Sequence, residues 1–437
     1  MAAPVYWESW LGPGCRSGAV AEHGKPFARA CDARRSMQAA LSYRPKAAPM
    51  TPVQRLDTTS MRPVLDGVRV IELAGIGPAP FCGMMLADHG AEVIRIDRPG
   101  GSDPLAQDQG RDVLLRSRRS ITLDLKQPEA VEIVSRLAET ADGLIEGFRP
   151  GVAERLGLGP DILMQRNPAL VYGRMTGWGQ EGPLSDMAGH DLNYISLNGC
   201  LGALGSEGEP PPPPLNLIGD YGGGGMMLAF GFVAALLAAR QSGRGRVIDC
   251  SMAEGSAALM AGMWSLAHNG MWDEGRGRNL LDGGAPFYAC YACADGKFVA
   301  VGAIETQFYA RLIDALGLTG DPLFAAQHDQ SRWPAMKARL AEIFASAPRA
   351  AWTDKLQLRD CCYTEVLTMA EAPTHAHNRA RGSYLEADGR LQPHPAPRFG
   401  DTEVVVPTMW RRDSARSEIL AEIGVADPDR VAVRQEP

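Results

Sequence analysis

Apolar residues in this chain come in short bursts separated by glycine and proline, and Val68–Leu73 is the first burst long enough to read as a strand. A glycine–proline turn, a helical stretch over Phe81–His89 and a second strand over Glu92–Ile96 follow, the order of a parallel βαβ unit. The theme then repeats. Pro128 opens a helix in which Val131, Val134, Leu137 and Ala138 recur at helical spacing, and Gly143–Glu146 and Leu170–Met175 read as further strands. Val247–Met252 adds another strand and Ala253–His268 a helix. Glycine and charge over Asn269–Asn279 mark a linker. Beyond it, strands at Phe287–Tyr291 and Lys297–Val301 flank an Ala-Asp-Gly-Lys turn, a hairpin signature, with helices over Gln307–Leu316 and Trp333–Ser346.

The pattern predicts an α/β fold with a Rossmann-like open sheet in a large domain, 61–250. Linker helices, 251–284, lead to a smaller α+β domain, 285–380, and 381–437 returns to the large domain. Residues 1–60 mix Arg, Pro, Gly, Ser and Ala without period and read as disordered. A mistaken start ahead of Met61 fits them equally. An organelle transit peptide would also suit the Arg richness, although Glu8, Glu22 and Asp32 count against it.

Composition narrows the class. The 437 residues are 45% hydrophobic and 22% charged, ordinary soluble material long enough for two domains, and a net charge of −7 argues against a nucleic-acid partner. Tyr221–Ala239 is uncharged and long enough to span a membrane, yet five of its residues are glycine and it ends in Arg240-Gln241-Ser242-Gly243-Arg244; it reads as a buried helix rather than a span. Nine cysteines without a paired framework fit a reducing, cytoplasmic location with free thiols. Cys290 and Cys293 fall three apart in a strand pattern, which sends their sulfurs to opposite faces and argues against a metal or redox pair.

The chemistry concentrates at Gly189-His190-Asp191 and, thirty positions after the histidine, at Asp220 ahead of four glycines read as exposed backbone. A proton beside a carbonyl can leave from one face and return to the other if two bases flank the carbon, and His190 and Asp220 are the candidates. Histidine titrates near neutrality (about 6.5), and a carboxyl matches it if burial raises its pKa. The apolar and glycine surroundings of Asp220 favour that. The enolate oxygen needs a donor, worth roughly 3–4 kcal/mol, and the amide of Asp191 supplies it if a helix starts after Gly189. Between Arg95 and Arg155 lie Arg95, Arg98, Arg111, Arg116, Arg118, Arg119, Lys126, Arg149 and Arg155, a local positive charge suited to phosphate. Arg98 and Arg149 each follow a predicted strand, where open sheets bind ligands. Gly75-Ile76-Gly77-Pro78-Ala79-Pro80 with Asp97 is an incomplete dinucleotide fingerprint, since Pro80 stands in place of the third glycine.

Through Val70–Pro78, Arg95–Pro99, Tyr172–Gln180, Gly189–Asp191, Asn216–Tyr221 and Leu281–Pro286, the chain resembles the alpha-methylacyl-CoA racemases of the family III CoA-transferase superfamily over about Val64–Phe399. The resemblance implies an enzyme that inverts the 2-methyl centre of branched acyl-CoA thioesters, with CoA part of the substrate and no metal or redox cofactor. It implies His190 and Asp220 as the bases and Glu305 as the partner of the histidine. Arg98, Leu123, Asp124, Leu125, Lys126, Gly147, Phe148, Arg149, Arg155 and Gly189 to Tyr194 would line the CoA site. It further implies an interlocked homodimer in which Glu305 acts across subunits. Met175, Met226, Met227, Met252, Met260, Met263 and Met271 are candidates for an adaptable surface under the acyl chain, with helical core filling as the plainer role. The alternative is CoA transfer between carboxylic acids with Asp191 as nucleophile, against which His190 weighs.

Overall fold

The computed structural model describes residues 61–100, 111–400, 402 and 405–425, so the segment 1–60 lies outside the described residues. Six strands form one parallel sheet: β1 (Arg69–Leu73), β2 (Glu92–Asp97), β3 (Arg118–Thr122), β4 (Gly143–Glu146), β5 (Val171–Thr176) and β6 (Val247–Ser251), in the order β3-β2-β1-β4-β5-β6. The order reverses between β1 and β4. A crevice opens there at the carboxyl ends of the strands, because the connections leave β1 and β4 on opposite sides. Helix α1 (Pro78–Ala87) follows β1 and α2 (Pro128–Thr140) follows β3, each with proline in its first turn, where the missing N–H costs nothing. Ile133, Val134, Leu137 and Ala138 of α2 are buried against the sheet with Ile71, Ile94 and Leu144.

The sequence pattern misses β3, whose first residues, Arg118, Arg119 and Ser120, are polar. Their charges are neutralised across the sheet. Glu72 of β1 accepts from Arg95 of β2 and from Arg118 Nη2 at 2.9 Å, Arg95 Nε donates to Asp97 at 2.8 Å, and Arg118 Nη2 also donates to the Pro80 carbonyl of α1 at 2.6 Å. Arg116 is likewise buried against Asp88, and Arg119 bonds Glu92 and Glu422. These four arginines therefore leave the expected phosphate-binding cluster and serve the core. Asp97, satisfied by Arg95 and Ser120, is no ribose acceptor.

Helix α3 (Asp191–Ser196) precedes a π-helix, Leu217–Met226, that runs without a break into α4 (Met227–Ser242); α5 (Met252–Leu259) follows β6. The glycine run, expected as exposed backbone, is instead a contact surface. Gly223, Gly224 and Gly225 are buried, and a Cβ at Gly223 would meet the Ser256 backbone of α5 while one at Gly225 would sit 2.7 Å from the Pro78 carbonyl of α1. Leu217–Ser242 is long and apolar enough to cross a membrane by length and composition, with half of its most apolar window buried. Read from the sequence as a buried helix, it leaves Met226, Phe230, Val233 and Leu237 exposed at one-face spacing.

An antiparallel sheet, β7 (Tyr288–Ala292), β8 (Phe298–Gly302) and β9 (Tyr363–Val366), packs with α6 (Thr306–Leu316) and α7 (Trp333–Phe344) around a core of its own that includes Phe287, Leu312 and Phe344. On β7 and just beyond it, Cys290 is exposed and Cys293 buried, as the alternation of a strand requires. Helix α8 (Arg416–Glu422) lies on β3, burying Ile419 and Leu420 in the core that also holds Ile71.

The backbone contact between the π-helix and α5 is testable. A methyl group at Gly255 would overlap the Gly223 carbonyl, with no flexible side chain to give way. Gly255→Ala should therefore cost about 2 kcal/mol or more in urea unfolding; a cost near zero would mean that the two helices separate freely.

Candidate active site

One cavity of about 470 Å³ opens at the reversal point of the sheet. It is walled by Ile76–Ala79 after β1, Gly147–Pro150 after β4, Met175–Trp178 at the end of β5, Met252 after β6, and Gly189, His190, Tyr194, Asn216, Asp220 and Tyr221. The two expected bases thus come together from different elements. His190 occupies the N-cap of α3, where Asn193 Oδ1 accepts its backbone N–H at 3.0 Å and the imidazole stands exposed to the cavity. Tyr194, one turn on, donates its hydroxyl to the Gly189 carbonyl and meets Trp178 edge to face, ring centres 4.8 Å apart. That wedge fixes the histidine's backbone.

Asp220 sits inside the π-helix, a few residues after its start, rather than ahead of a helix. Its Oδ2 accepts from Asn216 Nδ2 at 3.0 Å, and its carboxylate lies so close to Gly77 that a Cβ there would be 2.9 Å from Oδ2. Tyr221 is stacked on Phe81 of α1, centroids 4.5 Å apart, which closes this wall. Burial raises the Asp220 carboxyl above its ordinary value, and the Asp191 carboxylate adds to the rise; the Asn216 hydrogen bond and the His190 charge oppose it. His190 and Asp220 share the lining of the one cavity. Asp191 is the first residue of α3, so its N–H has no acceptor within the helix, as an oxyanion donor requires. Its side chain is buried outside the cavity lining.

Among the other expected positions, Gly147, Phe148 and Arg149 line the cavity, whereas Arg98, Lys126 and Arg155 are exposed on the same carboxyl edge of the sheet. Leu123 is buried in the core under that edge, Leu125 packs against the same core, and Asp124 accepts the Lys126 amide at 3.1 Å. Glu305 caps α6, half-buried beside Cys362, whose thiol its charge helps raise, and lies outside this cavity. Met175 and Met252 face the cavity. Met260 and Met263 instead line a separate groove of about 260 Å³ with Trp264 and Trp272, and Met226 and Met271 are exposed.

Two residues escaped the reading of the sequence. Asn216 stands four before Asp220, a spacing at which helical side chains meet, and that was its signal. Glu146 ends β4 with burial pushing its carboxyl up to about 7, although its Oε2 accepts the Phe148 amide at 2.6 Å and its Oε1 accepts from Arg174 at 3.1 Å. It shapes the turn that carries Arg149. A carboxylate ending a strand before Gly-Phe-Arg was the trace of it.

The raised Asp220 carboxyl has a thermodynamic consequence. A native carboxyl held above 3.8 keeps a proton that the unfolded chain sheds, so its contribution to stability is lost as pH rises from that value through the native one. Asp220→Asn, which cannot titrate there, should gain on the wild type as pH goes from about 4 to about 7 in urea unfolding. Parallel stability curves would mean an Asp220 of ordinary acidity.

The chain is similar to known proteins in sequence and in fold. Residues 65–411 match the model of CoA-transferase family III. The chain is 47% identical to the alpha-methylacyl-CoA racemase of Mus musculus over 370 residues, covering 84% of this chain and 95% of that one, and 44% identical to the Homo sapiens racemase over 365 residues, 82% and 93%. The crystal structure of a CAIB/BAIF family protein from Brucella suis, 24% identical, superposes with a TM-score of 0.73 over 83% of this chain and all of that one, a likeness of fold.

Proposed function

We propose, for a chain that belongs to CoA-transferase family III, racemisation at the α-carbon of 2-methyl-branched acyl-CoA thioesters by proton transfer between His190 and Asp220. The observation that carries it is the meeting of these two side chains in one cavity at the carboxyl edge of the sheet. One base takes the α-proton, and the C–H electron pair moves into the enolate. The Asp191 amide stabilises the oxygen, and the other base delivers a proton to the opposite face. Electrons return to the carbon they left, so the overall reaction is redox-neutral. Arg149 at the cavity, with Arg98, Lys126 and Arg155 on the same edge, would hold the phosphates of CoA, above a floor of Leu123, Asp124 and Leu125. Gly147, Phe148, Gly189 and Tyr194 would shape the passage for the thioester.

Transfer of CoA between acids would require the Asp191 carboxylate to attack the thioester. At 5% exposure, with an oxygen committed to the Asp220 amide, that group is buried and is not part of the cavity lining. Such burial favours the racemase reading. A homodimer completes it: the exposed stripe Met226, Phe230, Val233 and Leu237 is an apolar face for a second copy, and Glu305, outside the cavity lining of its own chain, would reach the histidine of the other.

In heavy water and without any acceptor acid, the enzyme should exchange the α-hydrogen of a 2-methylacyl-CoA. His190→Ala should slow exchange from one enantiomer, and Asp220→Ala from the other, each by about 10²-fold or more. Wild-type rates in both variants, from both enantiomers, would end the two-base scheme.

The subunit arrangement has its own test. His190→Ala and Glu305→Ala chains, each unable to racemise alone, should regain racemisation when co-expressed, because a mixed dimer with sites built across subunits holds one intact site. If Glu305 serves its own chain, the mixture stays dead.

A further inference from the structure

The proposed reaction uses the amide of Asp191 and leaves its carboxylate without a task. That carboxylate is placed with care. Oδ2 accepts the N–H of Asp220 at 2.7 Å, and Oδ1 is buried with no hydrogen-bond partner. It reaches Asp220 across Gly219, where a Cβ would stand 2.7 Å from Oδ2, so the approach depends on residue 219 having no side chain. Asp220 is the fourth residue of the π-helix, too early for its N–H to find an acceptor one turn back inside the helix. The acceptor comes from α3 instead. One side chain, next in sequence to the first base, thus grips the backbone of the second.

Resting on the two-base reading above, we infer that the Asp191 carboxylate is a positioning residue: the brace that sets the gap between His190 and Asp220. A strut of this kind suits a reaction in which one carbon must lie within reach of both bases, since about 1 Å of misplacement costs on the order of 10²-fold in rate. The brace also acts through its charge. The charged and titratable groups around Asp220 are His190 and Asp191 at the start of α3 and Tyr194 one turn on, with Arg149 beyond it; Asn216 on its own helix is neutral. Of these, Asp191 is the carboxylate, and it holds Asp220 a weaker acid and hence a stronger base.

Asp191→Asn and Asp191→Ala separate these effects. The Asn variant keeps an oxygen for the Asp220 amide and loses the charge; the Ala variant loses both. Exchange of each enantiomer of a 2-methylacyl-CoA is followed over pH, with kcat and KM resolved and folding checked by thermal melting. In Asp191→Asn, the acidic limb for the enantiomer deprotonated by Asp220 should move to lower pH, with kcat there down about tenfold and KM nearly unchanged. Asp191→Ala should lose about 10²-fold in kcat from both enantiomers. If the Ala variant does not fold, Gly219→Ala, whose methyl group would displace Oδ2, takes its place. Wild-type kcat from both enantiomers in that variant or in Asp191→Ala, beside a wild type that exchanges without acceptor acid, overturns the brace and leaves the two bases standing, and wild-type profiles in Asp191→Asn overturn its effect through charge. A wild type that exchanges nothing without an acceptor, and acyl transfer that dies in Asp191→Asn, would overturn both.

Discussion

The site depends on how closely one helix can approach its neighbours. Leu217–Met226 must carry Asp220 to the carboxyl edge of the sheet, and it does so by bringing bare backbone against its neighbours: Gly223 on the backbone of Gly255 and Ser256, Gly224 on the side chains of Met252 and Pro78, and Gly225 on the Pro78 carbonyl and the Phe81 side chain. A methyl group at any of these contacts would lift the helix away from α1 and α5. The wider π-turn opens the backbone where Asp220 needs an outside acceptor, and such turns are common at functional positions. Neither the position of Asp220 nor its partial burial can be separated from this packing.

Burial at that position matters because the two bases differ. In water a carboxyl is more acidic than an imidazolium by roughly 2.6 pKa units, about 3.5 kcal/mol of bias toward one direction of proton flow. Removing Asp220 from water and setting a second carboxylate beside it both narrow that gap, while the Asn216 hydrogen bond works the other way. An acidic protein that binds a polyanionic substrate also needs its cations at the mouth of the cavity. Many of its arginines are not there: Arg95, Arg116 and Arg118 are committed to Glu72, Asp97 and Asp88 inside the fold.

Those arginines mark the limit of what the chain discloses on its own. Strands β1, β2, β4 and β5 were legible because both faces of the sheet are covered there, which leaves apolar runs between glycines and prolines, and the edge strand β6, exposed at Val247 and Asp249, from its Val247-Ile248 start. Strand β3 was not, since Arg118 and Arg119 look like surface until Glu72 and Glu92 on other strands are known to face them. Likewise His190 and Asp220 stand out by residue type and neighbourhood, whereas the Asn216 contact and the Asp191 bond depend on side-chain direction within helices. The exposed stripe of Met226, Phe230, Val233 and Leu237 reads as core by composition alone.

Asp191 shows why residue type underdetermines chemistry in this superfamily. A carboxylate at the first turn of a helix is stabilised by the dipole wherever it points, so the same position can serve as a nucleophile or as a strut. What decides is the competition for its oxygens. In this chain the Asp220 amide takes Oδ2, Gly219 clears the path, and the wall of the cavity is left to His190. A carboxylate so engaged would have to break a 2.7 Å hydrogen bond and leave a buried amide unsatisfied, at about 1–3 kcal/mol, before it could touch a thioester. The imidazole beside it already lines the cavity, and proton transfer is the chemistry an imidazole performs best.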